Sequence, residues 1–216
     1  ESLGDSLQDI ARIKSGIIKN SAPTVICYRG DFNNEEDSPE SIIINKCKEK
    51  GSKVYKVSRE LIDNIKVTDS HLEFDILKNK SLSLDNTHLR LSMKGAYQPA
   101  NALTAYMALK VLSESGFPVS DENIKTAFEK TKVAFRFEIV ELGDSVDIIL
   151  DGAHNPDGAK KFVDSLNLNY EGRDKIYITG IFKDKDYSKI AQITGPYAKA
   201  VYVIQNTKSA RSLDKK

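Results

Sequence analysis

Cysteine is scarce in this chain, and no stretch of it stays apolar for long. Cys27 and Cys47 are the two present, with no further Cys or His at metal-ligand spacing around them, which excludes a disulfide framework and a zinc site of the usual spacing. They read as reduced, partly buried residues of an inner strand and an adjacent helix. No apolar run approaches a membrane span of about 20 residues, and no signal segment opens the chain. A cytoplasmic location is the expectation. Charge of one sign is lacking as well. The 32 Lys and Arg against 31 Asp and Glu leave a formal net charge of +1, so no global field favours nucleic acid or an anionic membrane. Internal repeats and low-complexity tracts are missing too. What is there is ordinary globular composition: 216 residues, 40% hydrophobic and 29% charged, can bury a sizeable core in one large or two small domains.

Thr24 to Tyr28 is a short β-rich run, followed by a polar, acidic connection from Asp31 to Pro39. A helix is predicted from about Glu40 to Lys50, with Ile43, Ile44 and Cys47 on one face and Gly51 at its end. Lys53 to Val57, His71 to Leu77 and Thr87 to Met93 alternate as half-buried strands do, the last two forming a candidate antiparallel hairpin. From Gln98 to Ser115 the positions Ala102, Leu103, Tyr106, Leu109 and Leu112 recur at helical spacing, closed by Gly116 and Pro118. Ser120 caps a further helix that carries Ile124 and Phe128 inward. Beyond it strands alternate with helices: Arg136 to Leu142, a strand ending at Leu150, Lys175 to Ile181, a helix near Tyr187 to Thr194, and Ala200 to Ile204. This alternation predicts an α/β fold with a parallel, doubly wound sheet at the carboxy-terminal end, and the composition shift puts a domain boundary close to Val133.

Chemistry concentrates in Asp151-Gly152-Ala153-His154-Asn155-Pro156, directly behind the apolar residues Val146, Ile148, Ile149 and Leu150. Asn155 suits an N-cap and Pro156 the first helical position, so a helix starts there. Asp151 and His154 then stand at the carboxyl end of a strand beside a positive helix start, where open α/β sheets hold ligands. Acids near a helix start also serve as plain caps, and a single His in a turn is commonly just solvated.

Separated motifs converge on one family. Leu3-Gly4-Asp5-Ser6 with Ile10 to Lys19, Gly95-Ala96-Tyr97-Gln98-Pro99-Ala100-Asn101-Ala102, Arg136-Phe137-Glu138, Leu150 to Pro156, and Gly180 with Lys183-Asp184-Lys185-Asp186 resemble, in order, the folylpolyglutamate synthase and dihydrofolate synthase family of Mur-type amide-bond ligases. The resemblance covers essentially the whole chain. It implies that residues 1–133 are the carboxy-terminal part of a central ATP-binding domain and residues 134–216 an incomplete, Rossmann-like glutamate-ligase domain. It also implies ATP and Mg2+ as cofactors and a monomer acting on small molecules, L-glutamate and a folate or dihydropteroate. A substrate acid is phosphorylated by ATP, and the amino group of glutamate attacks the acyl phosphate to form an amide. The family's glycine-rich phosphate loop does not occur in this sequence, so a fragment that lacks the amino-terminal part and is inactive alone is the expectation.

Site residues follow from the same resemblance. Lys14 matches a lysine that becomes carbamylated and, as an anion, ligates magnesium, a metal that prefers oxygen ligands. Asn101 contacts the nucleotide, with Gln98 three residues before it on the same face. Arg136 reaches a phosphate or the adenine edge, Asp151 accepts from the ribose hydroxyls, and His154 reaches the nucleotide or its phosphates. Lys14 and His154 are the catalytic assignments. Substrate or glutamate contacts fall near Lys183, Asp184, Lys185 and Asp186 without an assignment among them, and Arg211 is placed to meet the glutamate carboxylates. Three positions depart from the family: Ile13 stands where an acid is usual, Tyr97 where His is, and Phe135 where Gly precedes the arginine. A bulky Phe135 restricts backbone approach and becomes either a different floor to the adenine pocket or a weakness in it. The alternatives to this function are a Mur-type ligase acting on a cell-wall precursor and a non-catalytic nucleotide-binding or interaction module.

Overall fold

The structure, a computed structural model, describes residue 4 and residues 6–28, 37–142 and 146–213. Most of the acidic connection after Tyr28, part of the Leu3 to Ser6 motif and the final lysines lie outside them. The chain divides into two compact units, one of residues 1–66, 73–90 and 99–130, the other of 67–72, 91–98 and 131–216.

The first unit begins with α1 (Leu7–Ser15), where the Ser6 side chain accepts from the Asp9 N–H at 3.1 Å. β1 (Thr24–Tyr28), α2 (Pro39–Glu49) and β2 (Val54–Ser58) make a parallel βαβ unit in the register Thr24 to Val54 through Tyr28 to Ser58. Ser38 caps α2 and Pro39 occupies its first turn, where the missing proline N–H costs no helical bond. Cys47 and Val57 are fully buried in this unit. A second sheet orders β3 (Ile62–Val67), β4 (Leu72–Ile76) and β5 (Thr87–Leu91) side by side. Alternation along β4 buries Leu72, Phe74 and Ile76 on one face, with Leu89 and Leu91 of β5 buried as well. The sequence did not announce β3, because its four central residues are all exposed and leave no apolar period.

The long helix α3 (Gln98–Glu114) forms where expected, and its inward face differs from the expected one only towards the carboxy-terminal end. Ala102, Leu103, Tyr106, Met107 and Val111 are buried, whereas Leu112 is 42% exposed. Tyr106 and Thr87 bring their hydroxyls to 3.4 Å. α4 (Asp121–Lys130) starts from a reciprocal cap, in which Ser120 Oγ accepts from the Asn123 N–H at 3.1 Å and donates to Asn123 Oδ1 at 2.7 Å.

In the second unit β6 (Glu138–Glu141) and β7 (Asp147–Leu150) pair antiparallel, Glu138 to Leu150 through Glu141 to Asp147. This corrects the parallel pairing expected for the whole segment: the link after Glu141 is too short for a crossover and makes a hairpin instead. α5 (Pro156–Tyr170) follows, then β8 (Ile176–Thr179), α6 (Tyr187–Thr194) and β9 (Ala200–Val203), with β8 and β9 parallel as the alternation predicts. Between them lies a cavity of about 460 Å³ lined by Ile149, Phe162, Leu166, Tyr177 and Ile190 among others. Phe162 meets the rings of Phe137 and Tyr177 edge-on, with centroids 6.1 and 6.0 Å away. Among the described residues no helix is long and apolar enough to cross a membrane.

Burial separates two substitutions cleanly. Phe74→Ala, at a fully buried position, is expected to lower stability by about 3–5 kcal/mol in urea unfolding. Leu112→Ala is expected to stay within about 0.5 kcal/mol of the parent. Equal losses at both positions would refute this core.

Candidate functional site

The chain leaves β7 at Leu150, turns through Asp151 to His154 and enters α5, whose first turn is satisfied by Asn155 Oδ1 accepting from the Gly158 N–H at 2.7 Å. Helix start and cap are those expected. Asp151 lies under this turn with both oxygens engaged: Oδ2 accepts from the Phe137 N–H at 2.9 Å and Oδ1 from the Ala153 N–H at 2.8 Å. A third bond runs the other way, from the Gly152 N–H to the Phe135 carbonyl at 2.9 Å. The strand end and the segment before β6 are thereby laced into one corner.

The lacing imposes an unusual backbone. Phe135 and Phe137 have φ of 59° and 51°, in the left-handed region, where a side chain costs about 1–2 kcal/mol per residue. Phe137 recovers that cost by burying its ring to 2% exposure against Phe162 and Tyr170. Phe135 is 58% exposed and recovers little by burial, while its N–H donates to Glu138 Oε2 at 3.0 Å. A glycine here would adopt the same conformation without strain.

Tyr97 completes the corner, and no spacing along the chain pairs it with Asp151. Its hydroxyl and the Asp151 carboxylate lie close enough to shift each other's proton equilibria. Gly95 makes room for the ring, since a Cβ there would come within 2.9 Å of Tyr97 Cε1. The loop is tied to α5 by two buried or half-buried side chains: Ser165 Oγ accepts from the Ala96 N–H at 2.9 Å, and Asn169 Nδ2 donates to the Lys94 carbonyl at 3.0 Å. Burial raises the Asp151 carboxyl above its usual range, against the pull of the Phe137 and Ala153 amides, the Arg136 cation and the Tyr97 hydroxyl. Burial first, and then the negative Asp151, push the Tyr97 phenol up to about 12.

The remaining predicted residues separate by unit. Arg136 and His154 are exposed at the same corner as Asp151. His154 Nδ1 is 2.8 Å from the Gly152 carbonyl, which can only accept, so Nδ1 carries the proton and Nε2 of the neutral ring is an acceptor. Such a ring receives a hydroxyl or a proton, and it holds a phosphate oxygen only once protonated. Lys14, exposed in the last turn of α1, and Asn101, exposed in the first turn of α3, belong to the first unit. Gln98 does not share an open face with Asn101: it is 5% exposed and directs Nε2 to Met93 Sδ at 3.6 Å. Among the described residues no three His, Cys, Asp or Glu side chains gather as a metal site.

Beyond β8, Arg211 meets a carboxylate of its own chain. Its Nη2 and Nε donate to Asp184 at 2.8 and 3.4 Å, and the guanidinium lies 4.6 Å over the Phe182 ring. This bonding holds Asp184 down at about 2. Lys185 stands 3.4 Å from the same carboxylate, and Asp186 caps α6 by accepting from the Lys189 N–H.

Comparison with known proteins relates the chain to a class by sequence and fold. Residues 135–216 match the family model of the Mur ligase, glutamate ligase domain, and the mixed α/β fold matches that of the carboxy-terminal domain of solved folylpolyglutamate synthases. Over its length the chain is similar to folylpolyglutamate synthases. That of Lacticaseibacillus casei is 26% identical over 213 residues, covering 98% of this chain and 47% of that protein. The crystal structure from Thermotoga maritima is 29% identical with a TM-score of 0.71, over 97% of this chain and 46% of that one. An FPGS–AMPPCP–folate complex is 25% identical with a TM-score of 0.76, over 93% and 47%. The chain thus spans about half the length of the relatives it matches.

The phenol gives a direct check on the corner. With the folded value raised above the unfolded value near 10, the stabilising contribution of neutral Tyr97 is complete below pH 10 and is lost as pH rises through about 12. The difference between ultraviolet titrations of the parent and Tyr97→Phe should show one phenolate step near 12. A step near 10 would place Tyr97 in open solvent and remove it from Asp151.

Proposed function

We propose that this chain forms the nucleotide-facing and glutamate-adding part of an ATP-dependent ligase that joins L-glutamate to a folate or a dihydropteroate through an acyl phosphate. The observation that carries the proposal is the Asp151 corner: a carboxylate, an exposed guanidinium and an imidazole with Nε2 free to accept, all at the carboxyl end of a strand and the start of a capped helix. Similarity to folylpolyglutamate synthases along nearly the whole chain supports it. On this reading residues 1–133 belong to the central ATP-binding domain and 134–216 to the glutamate-ligase domain.

ATP, when bound, supplies the phosphoryl group that activates the substrate acid. The chain's own residues suit such a ligand. Asp151 keeps lone pairs for hydroxyl donors after its two amide bonds, and Arg136 with the positive start of α5 favours an anion. His154, with Nε2 as acceptor, is assigned the receipt of a proton from the attacking amine. Asn101 is assigned to the nucleotide. Lys14 is the proposed site of carbamylation, which would give one oxygen ligand. Among the described residues no three His, Cys, Asp or Glu side chains gather to complete a ligand set with it.

No glycine-rich phosphate loop occurs in the sequence, so the purified chain is expected to bind an adenine nucleotide without hydrolysing ATP. Robust ATP turnover by it would overturn the proposal. In the ligase that contains this chain, Asp151→Asn should lower kcat/KM for ATP about 10- to 100-fold, the loss of a charged hydrogen-bonding partner. Labelled glutamate should enter folate or dihydropteroate. Incorporation into a cell-wall nucleotide instead would replace the substrate half of the proposal.

A further inference from the structure

We infer that Phe135 is an aromatic platform on which the base of a bound nucleoside stacks. The inference rests on the proposed nucleotide corner and adds to it a contact with the base. Two phenylalanines flank Arg136 in left-handed backbone, and they differ in what they gain from it. Phe137 turns its ring into the aromatic cluster around Phe162, whereas the ring of Phe135 stays 58% exposed. A strained position that the fold itself does not repay is a mark of a functional residue.

The root of the ring is also fixed. The Phe135 N–H is held by Glu138 Oε2 at 3.0 Å and its carbonyl by the Gly152 N–H at 2.9 Å, so both neighbouring peptide units are tied down. The ring springs from directly beside Gly152. A Cβ placed on that glycine would lie 3.9 Å from Phe135 Cβ, and no side chain of Gly152 stands over the face of the corner. Arg136 and Asp151, the groups suited to phosphate and ribose, adjoin it in the chain and through these bonds. An apolar ring beside an anion site and a hydroxyl acceptor matches the three parts of a nucleotide. Stacking is tolerant of base identity, so the platform adds affinity without selecting adenine by hydrogen bonds.

The sequence contains no tryptophan, so Phe135→Trp installs a unique indole reporter. ADP should quench its fluorescence saturably, and pyrophosphate, which has no base, should leave it unchanged. By calorimetry Phe135→Gly should weaken ADP binding about 5- to 100-fold relative to the parent. Its affinity for pyrophosphate should be unaltered, and its melting temperature should rise as the left-handed strain is relieved. A Phe135→Gly variant that binds ADP as tightly as the parent overturns the platform and leaves the corner standing. A lower melting temperature assigns the ring to the fold and overturns it as well. Absence of any ADP binding by the parent overturns both the platform and the corner.

Discussion

The half-buried carboxylate of Asp151 is the constraint on which the second unit is organised. Burial opposes its charge, and the surrounding donors favour it: two main-chain amides from opposite sides of the corner, one phenol and one nearby guanidinium. A carboxylate accepts several such bonds at once, which no apolar side chain or amide can do in the same space. The Phe137 amide bonded to Asp151 and the Phe135 carbonyl bonded to Gly152 hold the segment before β6 in its left-handed bends, and the Phe137 ring goes into the core. Backbone strain, core packing and exposed chemistry in this unit therefore share one origin.

Helix α5 carries the consequences away from the corner. Its first turn is capped by Asn155 beside His154, and about three and four turns further on Ser165 and Asn169 return to the segment that holds Tyr97. The turn into α5 thus presents the Ala153 amide to Asp151, while the body of the helix holds the segment that carries the Tyr97 phenol. Ser165 is fully buried and uses its hydroxyl twice, as acceptor from Ala96 and donor to the Lys161 carbonyl, whereas Asn169 donates through Nδ2 and leaves its buried Oδ1 without a partner.

Local signals in the sequence carried much of this. The Asn155-Pro156 start of α5, the Ser120 cap, α3 and most strands were legible because each is decided by neighbouring residues and a period. The corner itself was legible as a motif. Its internal partners were not: Tyr97 meets Asp151 only through tertiary folding, and nothing in the spacing of Gly95 announced a ring lying over it. Arg211 was expected to face a ligand carboxylate and instead bonds Asp184, a choice made by a contact between two loops. The inward face of α3 was misjudged at Leu112 because apolar residues occur nearly all round that helix, and the antiparallel β6 and β7 pair was hidden by a length rule visible only once both strand ends are known.

Contact distance along the chain also sets an order of assembly. Asp151 and Phe137 are 14 residues apart across the open end of a hairpin, whereas the ties from α5 to the Lys94–Ala96 segment join residues 69 and 75 apart. Closing a short loop costs less entropy and takes less time than closing a long one. The acid therefore meets its amides while the hairpin zips, and the tyrosine arrives afterwards as the last partner delivered. A chain halted midway would hold a formed but phenol-less corner, with the carboxylate already oriented.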